Sequence, residues 1–215
     1  SKYNIVLHDI DTLAPFIKGK SGRGPGSVNH SVVIYGRPGV GKSAIIKKVA
    51  KEIASELGRE FVDFNAAYSR SKDDMVEIFN NPEKYYCFID IRAGMYEAYE
   101  FKGIPRPSEK IEGTSDSLDM LWIRILTMPG SAGFLFLDEI NQADENTQKA
   151  MYNLLHHEER GIAERGINNA AYWSVHAAGN LGSQFQGTND LNKAVVNRLS
   201  TVYFDVTFPK WLEFA

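Results

Sequence analysis

Gly36-Arg37-Pro38-Gly39-Val40-Gly41-Lys42-Ser43 fills the pattern G-x-x-x-x-G-K-[ST] without a mismatch. The residue types follow from what a phosphate chain demands. Backbone N–H groups can wrap an anion only where no Cβ intervenes and positive φ is allowed. The helix that follows then aims its N-terminal dipole and free N–H groups at the same anion. Lys42 would reach the outer phosphates as a point charge, and the Ser43 hydroxyl would ligate Mg²⁺. The flanks agree with that reading. Ser31-Val32-Val33-Ile34-Tyr35 is a β-branched run of the kind that makes a buried strand. After Ser43, apolar residues at Ile45, Ile46, Val49, Ala50, Ile53 and Leu57 predict a helix with one buried face, closed by Gly58.

Farther along, Phe134-Leu135-Phe136-Leu137 runs into Asp138-Glu139, a core strand with two carboxylates at its C-terminal tip. Open α/β sheets bind their ligands at that edge. A strand ending at a solvated turn also yields such a pair, but behind a phosphate loop it becomes the second half of a nucleotide site. Asp138 would hold the Mg²⁺ shell and Glu139 would polarise the attacking water. Trp173 to Ala178 reads as another strand, ended by Gly179-Asn180; Asn180 either contacts the γ-phosphate or water, or is a turn asparagine. Arg198 ends a short amphipathic stretch, where arginine commonly complements the helix dipole.

Bulk properties bound the rest. The chain has 215 residues, 43% of them hydrophobic, enough for one α/β core. A net charge of −3 gives no support to electrostatic binding of nucleic acid. Lys18, Lys20 and Arg23 form the visible basic cluster, in a Gly-rich stretch (Gly19 to Asn29) read as a flexible, solvated loop. Cys87 alone in an apolar run predicts a buried thiol in a reducing compartment. With neither a membrane-length apolar run nor a signal peptide, the expectation is a soluble cytoplasmic protein. His156 and His157 are adjacent on a predicted helix from about Asp144, too far apart in direction to chelate one metal.

These motifs resemble those of the AAA+ ATPases, most closely their MoxR-like branch. Four signatures stand in family order: the loop at 36–43, Leu-Asp-Glu at 137–139, Ala-Ala-Gly-Asn at 177–180 and Asn-Arg-Leu at 197–199. Phe88 to Arg92 with Gly103-Ile104-Pro105 looks like the second strand and the Gly-x-Pro turn of phage and bacterial members, and Trp211-Leu212-Glu213 like the segment after their last core strand. The resemblance implies ATP as nucleotide, Asn180 as the sensor asparagine and Arg198 as an arginine finger reaching a neighbouring subunit. It also implies a β-hairpin within Glu159 to Ala171.

The expected fold is therefore a P-loop NTPase three-layer α/β/α sandwich. It has a mostly parallel five-stranded sheet at 31–35, 85–91, 134–137, 173–178 and 201–208, with family order 5-1-4-3-2. Residues 1–27 are read as an N-terminal helix, linker and loop, and 28–215 as the nucleotide-binding core. Phe61 to Phe64 is set aside as a strand in favour of Tyr85 to Ile91, and Leu118 to Thr127 is read as a helix. The chain stops at Ala215, so the family's helical lid and its second sensor arginine are expected to be missing. The function implied is Mg²⁺-dependent ATP hydrolysis between subunits of a homo-oligomeric ring, a hexamer by resemblance, that remodels a protein partner. A partner with a von Willebrand factor A domain suits it. An ATP-gated binding module and an AAA+ motor on DNA are the alternatives.

Overall fold

In the computed structural model the described residues are 4–7, 10–156, 160–162, 165–180 and 199–204. The strands that carry the predicted motifs lie side by side in one parallel sheet. They are β2 (Val32–Gly36), β4 (Tyr85–Arg92), β7 (Gly133–Asp138), β10 (Trp173–Asn180) and β11 (Ser200–Phe204). Their spatial order is β11-β2-β10-β7-β4, which is the expected 5-1-4-3-2. Two outer strands enlarge the sheet to seven: β1 (Asn4–Leu7) pairs with β11, and β3 (Glu60–Asp63) pairs with β4. All six pairings are parallel. The five-strand expectation is thus too small. Phe61-Val62-Asp63 is a strand as well as Tyr85 to Ile91, short and only half-buried because it lies at the rim.

Side chains alternate across the sheet and fill two cores. Phe134 and Phe136 face α1 (Ile10–Lys20) and α2 (Lys42–Glu56), whose Ile45, Ile46, Val49, Ala50 and Ile53 are fully buried. Leu135 and Leu137 face the opposite layer, formed by α3 (Phe64–Arg70), α4 (Lys72–Asn80), α5 (Leu121–Leu126) and α6 (Glu145–Leu155). This is the three-layer sandwich. Helix α2 ends as its sequence predicts: Gly58 takes a φ of 66°, its N–H donates to Ser55 O, and Arg59 N–H donates to Ala54 O. That Schellman closure needs a residue at ease in the left-handed region. Asp144 caps α6 by accepting from the Asn146 and Thr147 N–H groups.

Two loop expectations change and one holds. Leu118 ends a strand rather than opening a helix. β5 (Ile104–Pro107) and β6 (Ser115–Leu118) form an exposed antiparallel hairpin, and α5 begins only at Leu121. Pro105 and Pro107 are tolerated there because the hairpin has two open edges. The Gly-rich stretch after α1 is fastened rather than loose. Gly24 N–H donates to Ala171 O, and the Asn29 side-chain amide donates to Ala170 O and Trp173 O. Two residues of the basic cluster are in ion pairs, Lys18 with Glu52 and Glu56 and Arg23 with Glu56, and Lys20 lies over the Phe16 ring. The expected hairpin near 159–171 is present as β8 (Gly161–Ile162) and β9 (Arg165–Gly166).

At the middle of the sheet His176 is fully buried. Its Nδ1 accepts from Val32 N–H, so its Nε2 carries the proton and donates to Ser21 Oγ, which in turn donates to Ile17 O. Burial first, and the nearby Arg160 guanidinium second, push its pKa down to about 3. Cys87 is buried too, and burial raises its thiol to about 12. Among the described residues no helix is long and apolar enough to cross a membrane.

Candidate nucleotide site

The register of β2 against β10 sets Asn180 beside Gly36, and that of β7 against β10 brings the Leu137 end to Ala177. Three separated motifs therefore meet at one sheet edge. Pro38, Gly39, Gly41, Lys42, Ser43, Asp138, Glu139 and Asn180 line a cavity of about 260 Å³. Gly36 closes β2 so tightly that a Cβ there would lie 2.5 Å from Phe204 O, and Val40 turns away to pack on the core. Gly39 and Gly41 have φ of 78° and 84°, so the bend that opens the loop toward an anion requires glycine.

Lys42 is nearly buried at the start of α2, and its Nζ donates to Gly36 O at 3.1 Å and Arg37 O at 2.9 Å. Burial lowers its pKa, while the charges of Asp138 and Glu139 act against that shift. The ammonium thus rests on loop carbonyls that a phosphate can replace. Ser43 Oγ donates to Asp138 Oδ2 at 3.0 Å, and the other oxygen of Asp138 accepts from Glu139 N–H at 2.8 Å. Two oxygen donors from distant motifs converge on one point, which suits Mg²⁺ held partly by protein and partly by phosphate and water. The residues present fit both groups.

Glu139 sits in the left-handed region with φ 53° and ψ 38°, a strained conformation for a residue with a Cβ. A short 3₁₀ turn, Ile140–Gln142, follows it and is tied back by Gln142 N–H donating to Glu139 O at 2.8 Å. Inside that turn is a residue that the sequence reading passed over. Asn141 is buried, donates from Nδ2 to Asn180 O at 2.9 Å and accepts the Asn180 N–H on Oδ1 at 3.1 Å. Its only signal was its place two residues after Glu139.

A second, larger cleft of about 890 Å³ adjoins the first through Ser43 and Ala44. Lys47, Asp63, Asn65, Asp90, Arg92 and Glu100 supply its polar lining. Lys47 pairs with Asp63. Asp90 is pushed up to about 6, mainly by burial and next by the charge of Asp138. Nothing in the sequence marked this cleft, because its residues come from two strands, two helices and the turns after β4. Arg198, the expected arginine finger, lies outside the described residues, as do His157 and Trp211 to Glu213.

Comparison with known proteins agrees with this geometry. The family model described as AAA ATPase domain matches residues 8–165. The crystal structure of a candidate ATPase from Cytophaga hutchinsonii is similar in fold, with a TM-score of 0.51 and 15% identity. That similarity covers 97% of this chain but 50% of the other, so the chain spans about half the length of that structure. NtrX from Brucella abortus also matches, with a TM-score of 0.45, 13% identity, and coverage of 89% of this chain and 35% of that one. No curated protein matches the sequence significantly. With a phosphate loop, an acidic strand end and a family match over most of its length, the chain belongs to the AAA ATPase domain family.

Proposed function

We propose that the chain hydrolyses ATP with Mg²⁺ at the interfaces of a ring of MoxR-like type and uses the turnover to remodel a protein partner. The observation that carries the reading is the Ser43–Asp138 hydrogen bond, in one cavity with Glu139 and Asn180. Loop amides and Lys42 bind the phosphates, and Ser43 and Asp138 hold the metal. Bound there, magnesium supplies neutralisation of the charge that builds on the phosphate oxygens. Glu139 accepts a proton from the attacking water, and Asn180 orients that water or the γ-phosphate. Arg198 from the next subunit stabilises the transferred group, a role that can be worth about 10³-fold or more in rate.

A protein as partner is favoured by the hairpin of β5 and β6, where Ile104 and Leu118 are exposed and Met95, Tyr99 and Ile111 stand exposed nearby. Apolar side chains gathered on an outlying hairpin mark an interaction surface. The test combines calorimetry with turnover. ATP with Mg²⁺ should bind Glu139→Gln as tightly as the native chain, while turnover falls about 10²-fold or more. Turnover per chain should also rise with protein concentration and collapse in Arg198→Ala. Activity independent of concentration would remove the ring from the proposal, and native turnover in Glu139→Gln would remove the assigned base.

A further inference from the structure

Asn141 does what a neighbouring peptide would do. Pairing between β7 and β10 stops at Leu137 and Ala177; Asp138 still pairs with Arg92 of β4, and the chain then turns away at Glu139. Beyond that point, the N–H and C=O of Asn180 would face a gap. The Asn141 amide fills it from the turn, with a donor at 2.9 Å and an acceptor at 3.1 Å on the same residue. An asparagine has the reach and both hydrogen-bonding functions; alanine has neither. The fit is close on the far side as well. A Cβ at Gly179 would lie 3.3 Å from Asn141 Oδ1 and 2.8 Å from the Tyr35 ring. The asparagine is 6% exposed, so water does not substitute freely for it.

The pair joins two groups of the site that the sheet itself does not join. Glu139 is two residues before Asn141 and is held in its left-handed conformation by the same turn. We infer that Asn141 is a positioning residue that fixes the distance between Glu139 and the Asn180 side chain, and so governs the chemical step rather than ATP capture. This rests on the roles proposed above for Glu139 and Asn180. ATP capture belongs to the loop amides and Lys42, which Asn141 does not touch in any hydrogen bond of the described residues.

The experiment measures steady-state ATP turnover, ATP–Mg²⁺ affinity and thermal melting for the native chain, Asn141→Ala, Asn141→Asp and Glu139→Gln at one protein concentration. Asn141→Ala should lose about tenfold to a hundredfold in kcat, as misplacement of a reacting group does, with affinity nearly unchanged. In Asn141→Asp the ionised carboxyl would oppose the Asn180 carbonyl, whereas the protonated form restores both hydrogen bonds. The ratio of its kcat to the native value should therefore rise as the pH falls. Native kcat in both Asn141 variants, with Glu139→Gln inactive, overturns this inference alone. Should Asn141→Ala melt early and lose ATP, the pH series decides: a flat ratio overturns the inference. Full turnover in Glu139→Gln would instead overturn the reading beneath it.

Discussion

Two asparagines make the same pair of hydrogen bonds, one at the rim of the sheet and one at its middle strand. Asn65, at the start of α3, donates to Asp90 O at 3.0 Å and accepts Asp90 N–H at 3.1 Å, extending the ladder where β3 ends. Asn141 does this for Asn180 with closely similar distances. The geometry is shared; the surroundings are not. The outer pair is exposed and competes with water, so each bond contributes about 0.5–1 kcal/mol net. The inner pair is buried, and removing it strands two main-chain groups at about 1–3 kcal/mol each. What each clamp presents differs in the same sense. Behind Asn141, Asn180 lines the nucleotide cavity. Behind Asn65, the Asp90 carboxyl has a buried Oδ1 with no hydrogen-bond partner among the described residues and leans toward the wider cleft. The same side-chain device thus serves chemistry at the centre and merely finishes a sheet edge at the rim.

The sharpest way to break this contrast is to truncate both. Asn141→Ala should cost turnover about tenfold or more, whereas Asn65→Ala should leave kcat within about twofold of native. Equal losses of turnover would show that the outer clamp is also part of the site. Next in size is stability: urea unfolding of Asn65→Ala should show a loss of about 1–2 kcal/mol, and a larger value would mean the outer pair is better shielded than its exposure suggests. The smallest effect concerns Asp90. Its folded value of about 6 lies above the ordinary 3.8, so the fold favours the protonated acid. Stability from this group is present at low pH and is lost as pH rises through about 4 to 6. Asp90→Asn should remove that loss and gain about 1 kcal/mol at neutral pH, after allowance for solvent screening. The difference between variant and native stability should shrink in acid; a constant difference would deny the carboxyl its burial penalty.

Much of this fold was legible because its signals are local. The glycines of 36–43, the β-branched run before them and the 3.6-residue spacing after them each report one physical demand, and all three agreed. The strand order rested on resemblance rather than on pattern. β3 was set aside beside Tyr85 to Ile91 because a half-buried rim strand of four residues has no full apolar run to argue for it. The β5–β6 hairpin escaped because its strands are exposed throughout and carry no alternation to betray them. Asn141 was hidden for another reason: its partners are main-chain atoms 39 residues away, and no side-chain pattern records such a bond.

The imidazole at the heart of the sheet has a consequence for acid. Below pH 6.5 an unfolded chain captures a proton that His176, held down to about 3, refuses in the fold. Folding should forfeit on the order of 4 kcal/mol as pH drops across that window, more than Asp90 returns. Urea midpoints followed from neutral toward pH 3 should fall steeply, and a flat profile would mean that the ring is wetter than its packing implies. Acidification would then strike at the bond that ties the nucleotide-loop strand to its neighbour, where Val32 N–H donates to the His176 ring.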